Sequence, residues 1–282
     1  MGDMKHALSL LVSTLTLLGA PIAARAMVPM NLSTSYTSYS SVAEHRAVGQ
    51  SGDNFALSQF DFTFGLRTFN DPEYRAHLQV GLPLRTLQMN SGTSSAIGSE
   101  LGGWRLAWNQ SFYEVLGWDL SYIKNASSRL GLFAENQSLE SIVSLRTLVF
   151  PTRYLLVRAH AGPGLRLTSS RDTDTRFGPM LIGRAGVELI MASESIGKIA
   201  LGLGAMLRQR TSYHDAESGR GGERLVTLQP NLAWEVVPDL WVTAQYTRAL
   251  VRPEGREQSM GDVSLGGLYG DSLSFGISTA SF

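Results

Sequence analysis

The sequence predicts an all-β fold: a closed antiparallel up-and-down transmembrane barrel of about twelve strands, preceded by a cleaved leader. Three observations predict it. First, large apolar residues alternate with small or polar ones, as in Lys198–Arg208, where Ile199, Leu201, Leu203, Ala205 and Leu207 share one face. Second, short connections carrying Pro or Asp alternate with polar loops of about ten to sixteen residues. Third, Lys5 and His6 precede an apolar stretch from Ala7 to Leu18, which ends in small residues at Ala24 and Ala26. That is the build of a secretory signal peptide, with cleavage expected after Ala26. Its apolar core is too short to span about 30 Å of hydrocarbon, the alternative of a membrane anchor.

Residues 27–282 then form one domain of about 256 residues, a size that suits a single all-β unit. No later stretch approaches 18 uninterrupted apolar residues, which excludes a helical membrane protein. The whole chain balances 24 basic against 24 acidic residues; loss of Lys5, Arg25 and Asp3 leaves about one net negative charge. Nothing in that balance favours a nucleic-acid partner. Cysteine is absent, so an exported chain takes no stability from disulfides; closure of a barrel supplies it instead. Mean hydropathy is near zero because each alternating strand cancels its own signal.

The strands follow in order. The first runs over about Met30–Ser40 and the second over Ala56–Phe69, where Phe60, Phe62, Phe64 and Leu66 share a face. Asn70-Asp-Pro-Glu73 is a turn by composition, since proline fixes the backbone and Asx side chains bond locally. The third strand is Tyr74–Leu87, followed by a Ser/Gly loop, Gln88–Gly103. Trp104 to Phe112 and Trp118 to Tyr122 mark the fourth and fifth, joined near Glu114–Gly117 by a connection with weak turn chemistry. Glu140–Phe150 and Tyr154–Leu167 flank Pro151-Thr-Arg153; Met180–Met191 and Lys198–Arg208 flank Ala192–Gly197; Arg224–Val236 and Leu240–Leu250 flank Val237-Pro-Asp239. Polar loops at Asn125–Ser138, Ser169–Phe177, Gln209–Glu223 and from Arg252 separate these pairs. The last strand alternates through Leu273, Phe275 and Ile277, with Phe282 in the opposite phase.

A C-terminal alternating strand closed by the aromatic Phe282, together with the signal peptide and the turn–loop asymmetry, resembles Gram-negative bacterial outer-membrane β-barrel proteins of a porin-like kind. The family pattern places the last aromatic in phase with the apolar positions before it, and Phe282 departs from that, which suggests a bulge or a frayed last turn. The resemblance implies that Phe282 is the barrel-closure signal read by the barrel-assembly machinery. It also implies residence in the outer membrane, with lipid as the surrounding partner. The soluble alternative is a secreted sandwich or lipocalin-like barrel, in which the apolar face would point inward.

If the apolar face meets lipid, the other face lines a lumen. It carries Arg67, Arg85, Arg105, Arg146, Arg158, Arg184 and Arg208 against Asp61, Asp119, Glu188 and Glu235. His77, Gln79, Asn109, His160, Gln229, Asn231 and Gln245 share that frame. Seven arginines against four carboxylates lean the interior positive, which favours small anionic solutes in a passive channel or transporter. The same pairs could instead fill and rigidify a narrow barrel, leaving a structural or adhesive protein that acts through its outer loops. Aromatics cluster toward strand ends as interfacial girdles do, with Trp241 on the lumen frame.

Asp172-Thr-Asp174 and His214-Asp215 loosely resemble the acidic and His–Asp pairs of outer-membrane aspartyl proteases, which would imply a hydrolase at the barrel rim. Spacing and order of the second pair differ, and that family has ten strands. The sequence is therefore read as non-enzymatic, with no cofactor and no metal; His77 and His160 are lumen polar residues rather than ligands.

Overall fold

Pairing closes the chain into a ring. The computed structural model describes residues 30–42, 54–71, 73–91, 94–126, 135–152, 154–170, 176–193, 197–214, 219–221, 224–251 and 271–279. Among them are β1 (Met30–Val42), β2 (Asn54–Asn70), β3 (Tyr74–Ser91), β4 (Ser94–Leu101), β5 (Gly103–Phe112), β6 (Leu116–Asn125), β7 (Asn136–Thr152) and β8 (Leu155–Ser170). There follow β9 (Arg176–Phe177), β10 (Met180–Ser193), β11 (Gly197–Arg210), β12 (Ser212–His214), β13 (Gly219–Gly221), β14 (Arg224–Val237), β15 (Leu240–Val251) and β16 (Ser272–Ser278). The expected signal segment 1–26 and Phe282, the expected closure signal, lie outside the described residues.

Twelve strands form the ring, in the order β1-β2-β3-β5-β6-β7-β8-β10-β11-β14-β15-β16, and β16 returns antiparallel to β1 with Phe275 opposite Tyr36. Full closure leaves no open edge among these staves, which hydrocarbon requires because it cannot satisfy a free backbone group. Outside the ring, β9, β12 and β13 make a small sheet above the long-loop rim.

The side-chain alternation decides which face is outside. Along β10, β11 and β14, Leu189, Leu201 and Leu232 stand opposite one another, as do Val187, Leu203 and Pro230. Leu201, Leu203 and Leu232 are 44%, 46% and 43% exposed, and Phe64, Leu82, Leu84 and Phe275 are exposed on the same outer surface. An apolar belt of this extent is what a soluble barrel buries and what a bilayer requires. The soluble alternative, with its apolar face inward, is thereby overturned. Aromatic pairs mark both edges of the belt: Phe69, Tyr74 and Phe112 stack at 5.3 and 5.2 Å near the short turns, and Trp104 meets Tyr122 at 5.1 Å near the long loops.

Several local features differ from the sequence expectation, among them the short strands β9, β12 and β13 inside the stretches expected as loops, Ser169–Phe177 and Gln209–Glu223. The Ser/Gly stretch expected as a loop, Gln88–Gly103, instead extends β3 and forms β4, so one hairpin rises above the ring. One extra residue sits at the foot of that hairpin, where Leu84 faces Leu101 but Gly81 faces Arg105. The bulge needs Gly103, whose φ of +118° and close approach to the Lys124 carbonyl leave no room for a Cβ. The connection expected near Glu114–Gly117 is residues 113–115, where Tyr113 and Glu114 have φ of 50° and 57° and the Val115 N–H donates to the Phe112 carbonyl. Two non-glycine residues with positive φ are costly. Here the Tyr113 N–H donates to the Glu73 carbonyl and Glu114 pairs with Arg75 at 2.7 Å, which holds the turn. Trp241, expected on the lumen frame, is buried at 3% exposure with Ile190, Ala200 and Ala233.

Candidate functional site: the polar lumen

Alternation and register place every predicted interior residue on the inner face. Arg67 lies opposite His77, Asp61 opposite Ser35 and Pro83, Arg105 opposite Gly81, and Arg208 opposite Ile182 and Leu225. These do not form one site. Arg85 is 3% exposed and donates to Asn125 Oδ1 (3.1 Å) and Gln59 Oε1 (3.3 Å), while Gln59 also donates to Asp61 (2.8 Å). Glu235 binds Lys198 at 3.1 Å near the short-turn rim.

What the structure brings together is a cluster on β5 to β10. Arg184 Nη2 donates to Asp119 Oδ2 at 2.7 Å, Arg146 Nη2 lies 3.8 Å from Asp119 Oδ1, and Asn109 Nδ2 donates to the same Oδ1 at 2.9 Å. Arg158 pairs with Glu188 at 3.2 Å, and His160 stands opposite both Arg146 and Gly186. Two guanidinium groups thus share one carboxylate, leaving one positive charge in excess. The side chains of Arg146, Arg158 and Arg184 remain 31%, 32% and 25% exposed toward the interior. Charge-assisted bonds of this length fix the side chains in place without sealing them off.

Glycines make the seats for these flat groups. A Cβ at Gly117 would lie 2.5 Å from Arg146 Nε, and one at Gly186 would lie 2.6 Å from His160 Cε1. Arg146 and His160 therefore pack closely over the backbone of the neighbouring stave, at places where only glycine leaves room for them. Beside them is a cavity of about 450 Å³, lined by Arg75, His77, Asn109, Gln110, Glu114, Asp119, Arg146, Arg158, His160, Arg184, Glu188 and Asn231. Its lining carries four arginines against three carboxylates.

A second cavity of about 490 Å³ shares His77 and Asn109 with the first and is otherwise lined by uncharged groups, including Asn31, Ser33, Ser35, Thr63, Gln79, Thr243 and Gly276. Its walls, β16, β1 and β2, stand six places round the ring from β7, β8 and β10. The lumen is therefore eccentric: a charged wall faces a wall of hydroxyls and glycine, with His77 and Asn109 between.

Toward the long loops the interior changes character. Ile142, Ile182 and Leu225, joined by Met180, form an inward-facing buried cluster with Met206 and Ala249 packed against it. Above it Arg166, fully buried, lies 3.6 Å from Glu140 and donates to Ser138 Oγ at 3.1 Å. Arg210, also fully buried, sits 4.6 Å over the Phe177 ring of β9. The sequence reading missed this apolar layer. Its signal was available in strand parity, since Ile142, Ile182 and Leu225 fall on the same frame as Arg146, Arg184 and Gln229.

Of the rim residues, His214 lies on β12, whereas Asp172, Asp174 and Asp215 lie outside the described residues. Among the described residues, no group of three or more His, Asp or Glu could hold a metal ion.

No protein-family model and no curated protein matches the chain. Solved structures do. An outer membrane channel from Pseudomonas putida F1 matches with a TM-score of 0.57 at 12% identity, over 92% of this chain and 97% of its own. The beta domain of the Bordetella autotransporter BrkA matches with a TM-score of 0.53 at 10% identity, over 90% of this chain and 100% of its own. The chain has the fold of a bacterial outer-membrane β-barrel, and its apolar belt and polar interior are those of such a protein.

Proposed function

We propose that this barrel is a small passive channel for polar solutes, with a preference for anions. In this reading it reaches the outer membrane after removal of residues 1–26 and is inserted by the barrel-assembly machinery, with lipid around its belt. One observation carries the preference: Arg146 and Arg184 share Asp119 at the wall of the mid-lumen cavity, so an uncompensated guanidinium charge faces the solute. In a narrow, partly desolvated lumen, fixed charge attracts counter-ions and raises their local concentration. The likeness in fold to an outer membrane channel supports the class.

A second reading is a structural barrel that acts through its outer loops. The buried layer around Ile142, Ile182 and Leu225 favours it, since that layer fills part of the interior. Planar-bilayer recording separates the two. A channel gives discrete conductance steps and a zero-current potential of the sign for chloride over potassium. Silence of correctly folded protein, or preference for potassium, overturns the proposal.

A further inference from the structure

We infer that the lumen holds a two-part binding site for a small polyhydroxylated monocarboxylate, an acid group joined to a polyol body. The inference rests on the channel reading and names its solute class. The charged cavity offers a net single positive charge, because Arg75 is taken by Glu114 (2.7 Å), Arg158 by Glu188 (3.2 Å), and Arg146 and Arg184 divide Asp119. One carboxylate matches that excess; a dianion would leave a negative charge uncompensated beside Glu188 and Asp119. Guanidinium groups suit a carboxylate through paired N–H donors.

The adjoining cavity sets the rest of the molecule. Its wall presents Ser33, Ser35, Thr63 and Thr243 hydroxyls and the Asn31 and Gln79 amides, with no formal charge. Such a wall exchanges hydrogen bonds with hydroxyl groups and offers little to an apolar chain. Because His77 and Asn109 line both spaces, one solute can place its acid group against Arg146 and Arg184 and its polyol against the serines and threonines. Neither half alone recognises both.

The test uses the full protein in planar bilayers, with chloride carrying the current and potassium gluconate, potassium acetate or sorbitol added as blocker. Gluconate should interrupt the current at a concentration about tenfold or more below that of acetate or sorbitol, the ratio one charge-assisted hydrogen bond supplies. Arg146→Gln should raise the half-blocking gluconate concentration about tenfold, and Arg146→Lys should restore part of the loss. Ser35→Ala with Thr63→Val should weaken gluconate block about threefold or more without changing acetate block. Equal block by gluconate and acetate, block by sorbitol alone, or gluconate block indifferent to both sets of variants overturns the inference. A chloride-preferring channel with equal block overturns this inference alone; a silent or potassium-preferring one overturns the channel reading with it.

Discussion

Replacing Asp119 with asparagine keeps the shape of the mid-lumen cluster and deletes the carboxylate that Arg146 and Arg184 share. The cavity lining then carries four arginines against two carboxylates, so its excess rises from one positive charge to two. A permeating ion about 5 Å from the new charge gains or loses about 0.8 kcal/mol in water. Screening at 0.1 M salt, with a Debye length of about 10 Å, reduces that to about 0.5 kcal/mol. Chloride gains and potassium loses, so their permeability ratio moves by about 1 kcal/mol, or about fivefold toward chloride. At 1 M salt the Debye length falls to about 3 Å and the change shrinks below about twofold. Arg184 then donates to a neutral amide oxygen in place of the carboxylate 2.7 Å away, and the lost charge assistance costs about 1 kcal/mol of folding stability. Zero-current potentials of the two proteins in the same potassium chloride gradient, at both salt levels, measure the shift. An unchanged ratio, a shift toward potassium, or a shift that ignores salt would refute the electrostatic reasoning.

Other substitutions probe the rest of the barrel. Leu203→Arg places a charge on the outer belt between Val187 and Pro230 and should cost about 2–4 kcal/mol in urea titrations of folding into vesicles; a neutral result would mean that this face meets water. Gly117→Ala sets a Cβ 2.5 Å from Arg146 Nε and should push that guanidinium about 1 Å toward the axis to regain ordinary contact. Stability should change by less than about 1 kcal/mol, because the tip of a flexible side chain yields, while single-channel conductance falls. Arg166→Ala strands Glu140 near the outer rim and should lower stability by about 3–5 kcal/mol, seen as unboiled protein losing its fast gel mobility at a lower temperature.

The ring and its inner face were legible because a strand has period two, so parity alone assigns Arg146, Arg184 and Asp119 to one side. Parity says nothing about height or neighbours. Asp119 and Arg184 are 65 residues apart and meet only through the register of three intervening pairings. The β3–β4 hairpin escaped notice because it stands above the belt, where nothing requires alternate residues to be apolar and Ser and Gly suffice. The connection expected near Glu114–Gly117 sits slightly earlier, at residues 113–115, because its support is tertiary, from Glu73 and Arg75. The inward Ile142, Ile182 and Leu225 show that apolar residues can sit on either face, so composition by itself does not identify the lipid side.

The absence of cysteine makes the central claim, lipid outside and solute inside, directly accessible. Gln229 and Leu232 lie three residues apart on β14, facing inward and outward, the latter 43% exposed. Single-cysteine variants at these positions would be recorded in planar bilayers before and after a charged, water-soluble thiol reagent, then labelled in vesicles with a membrane-soluble maleimide. The account predicts that Gln229→Cys reacts with the charged reagent and its current falls, whereas Leu232→Cys reacts with the membrane-soluble reagent and its current is unchanged. The reverse pattern, or full modification of Gln229→Cys with no change in current, would contradict it.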